Sequence, residues 1–361
     1  MLNNLSKIQR YPFVKNDQLK AWNSADELIL ETISEYELEY KRILVINDNF
    51  GAICCSLSPG DITVYVDSYI SSKAIRLNSD NKHIPITNLK DLSGIYDYVF
   101  IQIPKNLSFF EDILSHLTKH LKADSKLIYT SMIKHLAKNS FDLIQKYIGN
   151  TSTSLAKKKA RLIFSTFEKE AISSPYPKKI KIDGFDTVFI NHSNVFSREK
   201  LDIGSRFFLE HIPKGEFKTI LDLGCANGVV GIKAKLNNPS ANIIFNDESM
   251  MAILSAKTNY NQFFFDDNAQ YSFSNCYEDQ SESSVDLVLC NPPFHQVHTI
   301  GDFIAMEMFK NAKKVLKPGG KLVVIGNSHL AYQVKLKKIF GNSKITATNK
   351  KFMIINCIKS I

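Results

Sequence analysis

Residues 219–231 read Thr-Ile-Leu-Asp-Leu-Gly-Cys-Ala-Asn-Gly-Val-Val-Gly, and this run decides the fold. The apolar residues that open it predict a buried strand, and its glycines predict a sharp turn into a helix. In such a turn backbone amides can approach a ligand closely, although a tight strand-to-helix connection without a ligand has the same pattern. If a ligand binds here, Asp222, Gly224 and Gly228 are the candidates to border it.

An acidic residue ends the next predicted strand. Asp247 lies one strand–helix–strand unit after Asp222, where a carboxylate can accept hydrogen bonds from ribose hydroxyls in a Rossmann-like site. The phosphate-binding motif Gly-x-x-x-x-Gly-Lys does not occur in the sequence, which argues against a nucleoside triphosphatase. The pattern therefore favours a site for a cofactor that contains a nucleoside.

Asn291-Pro292-Pro293-Phe294 directly follows another predicted strand and carries the chemistry. A planar amino group is a poor nucleophile because its lone pair is delocalised into the ring. The Asn291 side-chain oxygen and a proline backbone carbonyl can each accept one of its hydrogens, which favours a pyramidal nitrogen in line with a methyl donor. Pro292 and Pro293 fix the backbone, and Phe294 can stack on a base removed from its helix. The motif predicts methyl transfer to a planar amino nitrogen.

Short β-rich runs alternate with amphipathic helical patterns along the chain. The predicted strands cover residues 42–46, 98–101, 126–129, 219–223, 242–245, 286–290 and 321–325. Apolar residues at three- and four-residue steps predict helices within residues 109–121 and 303–316. This alternation predicts an α/β fold in which helices cover both faces of parallel sheets.

The two halves match in strand pattern, which indicates a duplication. Residues 43–51 align with 220–228, and residues 97–104 align with 286–293. With 361 residues the chain is long enough for two domains. A Ser- and Pro-rich stretch separates the halves. We expect a first domain at residues 1–170, a linker at 171–185 and a catalytic domain at 186–361.

The first copy has lost the polar residues of the second. Val45 stands where Asp222 stands in the second copy, and residues 102–105, Gln-Ile-Pro-Lys, replace the Asn-Pro-Pro-Phe motif. The asymmetry predicts that the second domain carries the chemistry and that the first is a degenerate copy.

The composition limits the class of protein and of partner. With 45 Lys and Arg against 36 Asp and Glu, the net charge of +9 favours a polyanionic partner such as nucleic acid, or an anionic membrane surface. No apolar run is long enough to span a membrane, and the first residues lack the apolar core of a signal peptide. We therefore expect a cytoplasmic protein that does not bind membranes.

Cysteine and histidine usage argues against a metal site. The six cysteines are scattered and form no Cys-x-x-Cys pair, which fits free thiols in a reducing compartment. His295 and His298 lie three residues apart and could join His329, but no further ligand stands at a compelling spacing. We expect no metal.

These motifs resemble those of class I S-adenosylmethionine-dependent methyltransferases of the bacterial ribosomal RNA guanine-N2 type. The resemblance covers nearly the whole chain, and the segments that carry it are residues 194–197, 201–208, 222–231, 247–249, 291–296, 336–341 and 347–352. The tetrad alone is shared with adenine-N6 and protein-glutamine methyltransferases. The flanking segments favour enzymes of the large ribosomal subunit over their small-subunit relatives. The resemblance implies two tandem Rossmann-like methyltransferase domains, of which the degenerate first one helps to hold RNA.

The resemblance also implies roles for individual residues. Phe196, Asp202 and Gly204 are expected to wall the methionine end of S-adenosylmethionine. Asp247 is expected to bind its ribose, and Asn275 its adenine amino group. Three of these assignments have an open structural alternative. Asp202 could cap a helix, Phe196 could lie in the core, and Asn275 could be a turn residue.

One residue departs from the family pattern. Ala226 stands where a second glycine of the turn is usual. The extra methyl group could crowd the cofactor or be tolerated. We expect activity to survive with weaker cofactor binding.

The implied function is methylation of the exocyclic N2 of a guanine in 23S ribosomal RNA by a monomer. The alternatives are a 16S ribosomal RNA guanine-N2 methyltransferase, a protein-glutamine methyltransferase, and a non-catalytic RNA-binding protein on an inactive methyltransferase scaffold. The net charge of +9 and the duplicated domain favour RNA over a protein substrate. The intact Asp222, Asp247 and Asn291 argue against a non-catalytic protein.

Overall fold

The structure is a computed structural model that resolves two compact units, Met1–Tyr176 and Pro177–Ile361. The residues that it describes are 2–13, 19–57, 60–278, 280–293 and 298–360. Each unit contains one mixed sheet flanked by helices, so the prediction of two tandem Rossmann-like α/β domains is confirmed.

The first unit is built on a six-stranded sheet. Its strands are β1 (Arg42–Ile46), β2 (Asp61–Tyr65), β3 (Tyr98–Gln102), β4 (Lys126–Met132), β5 (Thr151–Thr153) and β6 (Ala160–Thr166). Their order is β2-β1-β3-β4-β6-β5, and the first four are parallel, whereas β6 runs antiparallel to both neighbours. The central strands are continuous apolar runs because helices cover both of their faces.

Four α-helices pack on this sheet. They are α1 (Ser24–Ile33), α2 (Tyr69–Asn78), α3 (Leu107–Leu117) and α4 (Asn139–Tyr147). The apolar face predicted for residues 109–121 is the buried face of α3, and Leu121 is buried beyond the helix end. A capping box starts α1: the Asn23 side chain accepts from Ala25 N, and the Asp26 carboxylate accepts from Asn23 N at 2.8 Å.

The second unit has a seven-stranded sheet and a short hairpin. The hairpin strands are β7 (Lys178–Ile180) and β8 (Phe189–Asn191), and the sheet strands are β9 (Thr219–Leu223), β10 (Asn242–Asp247), β11 (Ala269–Phe273), β12 (Val285–Cys290), β13 (Leu316–Asn327), β14 (Lys344–Thr348) and β15 (Phe352–Ile358). The sheet order is β11-β10-β9-β12-β13-β15-β14. All neighbours are parallel except the two pairs made by β15.

Five α-helices belong to this unit. They are α5 (Ile203–Leu209), α6 (Val229–Asn237), α7 (Met250–Phe263), α8 (His298–Val315) and α9 (Tyr332–Phe340). The helix predicted within residues 303–316 is α8, but Leu316 begins β13 rather than ending the helix.

Part of the stretch that we expected to link the domains is ordered within the second unit. Residues 178–180 form β7, and Ile180 and Ile182 are buried in a core cluster with Phe189 and Ile220. The two isoleucines alternate with polar residues, so both can turn to the same apolar face.

The cysteines are all free, and five of the six are buried, which confirms the predicted free thiols. Within the described ranges, no helix is long and apolar enough to cross a membrane.

Candidate active site

The polar residues singled out in the second half meet at the carboxyl edge of its sheet. Strand β9 lies between β10 and β12, and Leu223 is in register with both Asn246 and Cys290. Asp247 and Asn291 therefore flank the turn that follows β9. In open α/β sheets, ligands bind at this edge, in the crevice outside the carboxyl ends of the strands.

The buried Asp222 side chain anchors the helix that follows the glycine turn. Its side chain is 3% exposed, and its Oδ2 accepts a hydrogen bond of 2.8 Å from Gly231 N in helix α6. Burial raises the pKa of Asp222 to about 7, and the charge of Asp247 adds to the rise, while the Gly231 N–H opposes it. Asp222 thus holds the start of the helix against the strand.

The turn itself depends on left-handed backbone angles. Gly224 has φ +78° and Gly228 has φ +81°, a region that residues with a Cβ rarely adopt. A Cβ at Gly228 would lie 3.0 Å from the Cα of Ala256, so the helix that contains Ala256 could not pack as closely. These two glycines therefore allow a sharp turn with closely packed neighbours.

Asp247 joins three segments at the edge of the site. Its Oδ2 accepts from Ala226 N at 2.9 Å, and its Oδ1 accepts from Ser249 N at 3.0 Å. The side chain is half-buried. Loss of water raises the pKa of this carboxyl, while the backbone N–H groups oppose the rise. Asp247 is thus fixed in place by the turn and by the start of α7.

Asn275 lies at the same edge, just beyond β11. It is 4% exposed, and its Nδ2 stands 3.4 Å from Oε2 of Glu278 and 3.5 Å from Oε1 of Glu307. Burial raises the pKa of Glu307, and the charge of Glu278 adds to the rise. Because the amide nitrogen faces two carboxyls, the amide oxygen of Asn275 points away from them.

The segment before β9 contributes an exposed ring and a helix cap. Phe196 is 52% exposed, so it is not packed as a core residue. The Asp202 carboxylate accepts from Ser205 N at 3.1 Å and caps α5, which was the structural alternative for this residue. A Cβ at Gly204 would lie 2.9 Å from Oδ2 of Asp202 and 3.1 Å from the ring of Phe352. The absence of a side chain at Gly204 therefore lets α5 pack closely.

Asn291 presents an unpaired acceptor. Its Nδ2 donates to Oγ of Ser205 at 3.0 Å. Its Oδ1 is buried and has no hydrogen-bond partner among the described residues. Leaving a buried carbonyl unpaired costs about 1–3 kcal/mol, so such an atom marks a place where a donor is expected to bind.

The rest of the tetrad is described only in part. Pro292 is buried and Pro293 is half-buried directly after β12. Phe294 lies outside the described residues, and so does His295. Its proposed stacking on a base stays a prediction.

Ser205 is the residue that the sequence analysis missed as a candidate. It belongs to the segment 201–208 that carries the resemblance, but its type and position gave no chemical signal. Its role is visible only because the fold brings it to Asn291, from which it is separated by 86 positions in the chain.

In the first unit, the position that corresponds to Asn291 holds an amide with partners at both ends. Gln102 corresponds to Asn291, and both ends of its amide are engaged: Nε2 donates to the Asp26 carboxylate, and Oε1 accepts from Asn49 Nδ2 at 3.0 Å. Val66 follows Tyr65, which pairs with Ile46 as Asn246 pairs with Leu223. Val66 therefore takes the place of Asp247, and Val45 that of Asp222. The first unit therefore lacks both carboxyl groups of the second, and the amide that it retains is hydrogen-bonded at both ends.

The cysteine next to the tetrad is not set up as a nucleophile. Cys290, directly before Asn291, is fully buried, and burial raises the pKa of its thiol well above the ordinary value. Over the parts of the chain that the structure describes, no group of three or more His, Cys, Asp and Glu side chains could hold a metal ion.

Known families match both units. Residues 2–169 match the family described as the RLMG N-terminal domain, and residues 186–356 match the methyltransferase small domain family.

Curated relatives match over nearly the whole chain. The protein is 41% identical to the ribosomal RNA large subunit methyltransferase G of Psychromonas ingrahamii, over 98% of this chain and 96% of the relative. It is 39% identical to that of Pseudoalteromonas atlantica, over 99% and 98%. It is 40% identical to that of Stutzerimonas stutzeri, over 97% and 96%.

A solved structure shares the fold. The 16S rRNA N2 methyltransferase of T. thermophilus, in complex with AdoMet and guanosine, superimposes with a TM-score of 0.78. The match covers 93% of this chain and 92% of the other at 19% identity. At this identity the likeness concerns the fold and not the substrate.

Proposed function

Because this chain belongs to the ribosomal RNA large subunit methyltransferase G family, we propose that it methylates the exocyclic N2 amino group of a guanine in 23S ribosomal RNA. The observation that carries the proposal is the buried, unpaired Oδ1 of Asn291 beside the glycine turn. An amino group bound there would supply the hydrogen that this oxygen lacks.

The residues of the second unit fit S-adenosylmethionine as the cofactor. It supplies a methyl group on a positively charged sulfur, activated for attack by a weak nucleophile. Gly224 and Gly228 keep the turn narrow, so that backbone rather than side chains faces the crevice. The half-buried Asp247 is held by two N–H groups and retains lone pairs for ribose hydroxyls. Asp222 anchors the helix after the turn through its hydrogen bond to Gly231 N.

The two ends of the cofactor are assigned to the flanking segments. The amide oxygen of Asn275 faces away from Glu278 and Glu307, and it can accept from the adenine amino group. The exposed ring of Phe196 can pack on the methionine end, beside the α5 start formed by Asp202 and Gly204.

The tetrad binds the substrate amino group through hydrogen bonds. Oδ1 of Asn291 accepts one N2–H of the guanine, and a backbone carbonyl of the proline pair accepts the other. This draws the lone pair out of conjugation with the ring and aims it at the methyl group. After transfer, N2 releases one proton to water, which restores a neutral amine. Phe294 would stack on the base.

The first unit is proposed to hold RNA. The net charge of the whole chain, +9, favours a polyanionic partner, and the engaged amide of Gln102 indicates that the first unit does not carry the chemistry. We assign the degenerate domain to residues 1–170 and the catalytic domain to 186–361. We further propose that the protein acts as a monomer in the cytoplasm.

The test is a transfer assay with a tritiated methyl donor. Large- and small-subunit ribosomal RNAs are purified separately from cells that lack this protein, and the labelled nucleosides are identified by chromatography. We expect label in large-subunit RNA that elutes as N2-methylguanosine. Label confined to small-subunit RNA would contradict the 23S assignment and favour the 16S alternative. Label in a protein, or in no substrate, would contradict an RNA methyltransferase.

A further inference from the structure

Ser205 links the first turn of α5 to the end of β12. Its hydroxyl is the acceptor for Asn291 Nδ2 at 3.0 Å, and its side chain is only 6% exposed. The residue is itself held in place, since its backbone N–H donates to the Asp202 cap at 3.1 Å. The contact therefore joins a fixed, buried hydroxyl to the half-buried Asn291 side chain.

The orientation of the Asn291 amide decides whether the site has an acceptor. The oxygen and the nitrogen of an asparagine side chain occupy nearly the same volume, and a half-turn exchanges them. Only the oxygen can accept a hydrogen from a substrate amino group. With Nδ2 on Ser205, the oxygen lies on the other side of the amide, where it is buried and unpaired.

The first unit repeats this contact in a form that is fully satisfied. Asp26 is the third residue after the Asn23 cap of α1, as Ser205 is the third after the Asp202 cap of α5. Its carboxylate accepts from the amide nitrogen of Gln102, the counterpart of Asn291. In both units, then, the third residue after the helix cap accepts a hydrogen bond from the amide nitrogen of the side chain at the strand end. Among the described residues, the amide oxygen has a partner in the first unit and none in the second.

We propose that Ser205 is a positioning residue for methyl transfer, because its hydroxyl accepts the Nδ2 hydrogen bond, holds the Asn291 side chain in place and leaves Oδ1 for the substrate amino group. This inference rests on the proposed function of the site. Ser205 does not touch the reacting atoms itself and acts through Asn291.

The test is a double-mutant cycle in the full-length protein, read out as kcat and KM. Ser205→Ala is expected to lower kcat roughly tenfold, the scale of one lost positioning contact, and to leave the KM for RNA and the Kd for S-adenosylmethionine unchanged. In an Asn291→Ala background the same change should have no further effect, because the amide that it orients is gone.

Ser255→Ala is the matched control. Ser255 is a fully buried serine of the same unit that bonds His192 N and Met251 O, with no contact to Asn291. We expect it to lower the melting temperature without lowering kcat.

Two results would overturn the role of Ser205. One is an unchanged kcat in Ser205→Ala, and the other is an equal loss of kcat in the wild-type and Asn291→Ala backgrounds. The proposed function is judged separately, from which RNA the wild-type protein labels. If that RNA is not the 23S species, the cycle is run on the RNA that is labelled.

Discussion

Ala226 holds a backbone conformation that is costly for any residue with a Cβ. Its φ of +48° lies in the left-handed region, where the penalty is about 1–2 kcal/mol. The turn nevertheless needs this conformation, because it directs Ala226 N to the Asp247 carboxylate. The turn therefore tolerates local backbone strain at Ala226.

The first prediction concerns this strain. Ala226→Gly should stabilise the protein by at most about 1 kcal/mol, since the relief is partly offset by the greater freedom of glycine in the unfolded chain. Cofactor binding should become tighter, because the methyl group leaves the turn. Chemical denaturation and calorimetric titration measure the two effects.

The control is Ala234→Gly within α6, which should destabilise by about 1 kcal/mol. Equal destabilisation by both changes would contradict the strain at Ala226.

Three site residues could be identified from the sequence because the residues next to them in the chain already indicate their positions. Asp222, Asp247 and Asn291 each end or follow an apolar run, so their places at the sheet edge could be predicted from a short window. Ser205 could not be identified in this way, because its contact with Asn291 depends on how α5 packs over the sheet.

Among the elements, the parallel strands at the centre of each sheet were predicted, whereas the antiparallel strands β6 and β15 and the edge strands were not. The predicted bounds 42–46 and 219–223 are those of β1 and β9, whose residues are mostly apolar and, after the first, all buried. The edge strands β11 and β14 differ, since much of each is exposed or half-exposed. A strand of this kind is specified by its neighbour more than by its own sequence.

The second prediction is that one chain binds one S-adenosylmethionine. The crevice of the first unit has Val45 and Val66 in place of two acids, and Gln102 has partners at both ends of its amide. Calorimetric titration of the full-length protein should give a stoichiometry of one. Asp247→Ala should weaken that binding, whereas Val66→Ala, the change at the corresponding strand end, should leave it unaltered. A stoichiometry of two would contradict the degenerate first unit.

At the scale of the whole molecule, each unit buries one carboxyl whose pKa is raised to about 7. These are Asp26 in the first unit and Asp222 in the second, and burial is the main cause in both. A raised folded-state pKa means that folding favours the protonated form. The stability that this contributes is complete below pH 4 and is lost as the pH rises through 7.

The third prediction follows from this loss of stability with rising pH. Asp222→Asn removes one titrating group while it keeps an acceptor for Gly231 N. Relative to this variant, the wild-type protein should lose up to about 4 kcal/mol of unfolding free energy between pH 4 and pH 8. Urea denaturation at several pH values, without cofactor, measures the difference. Parallel pH curves for the two proteins would show that Asp222 is not protonated in the folded state.

The central claim is that the buried Oδ1 of Asn291 accepts a hydrogen from the guanine amino group. The most direct measurement is single-turnover methyl transfer by Asn291→Ala, with the Kd for S-adenosylmethionine determined on the same preparation. We expect a rate lowered by roughly tenfold to a thousandfold and a nearly unchanged Kd. Gln102→Ala, at the corresponding position of the first unit, should keep the wild-type rate. An undiminished rate in Asn291→Ala would contradict the account.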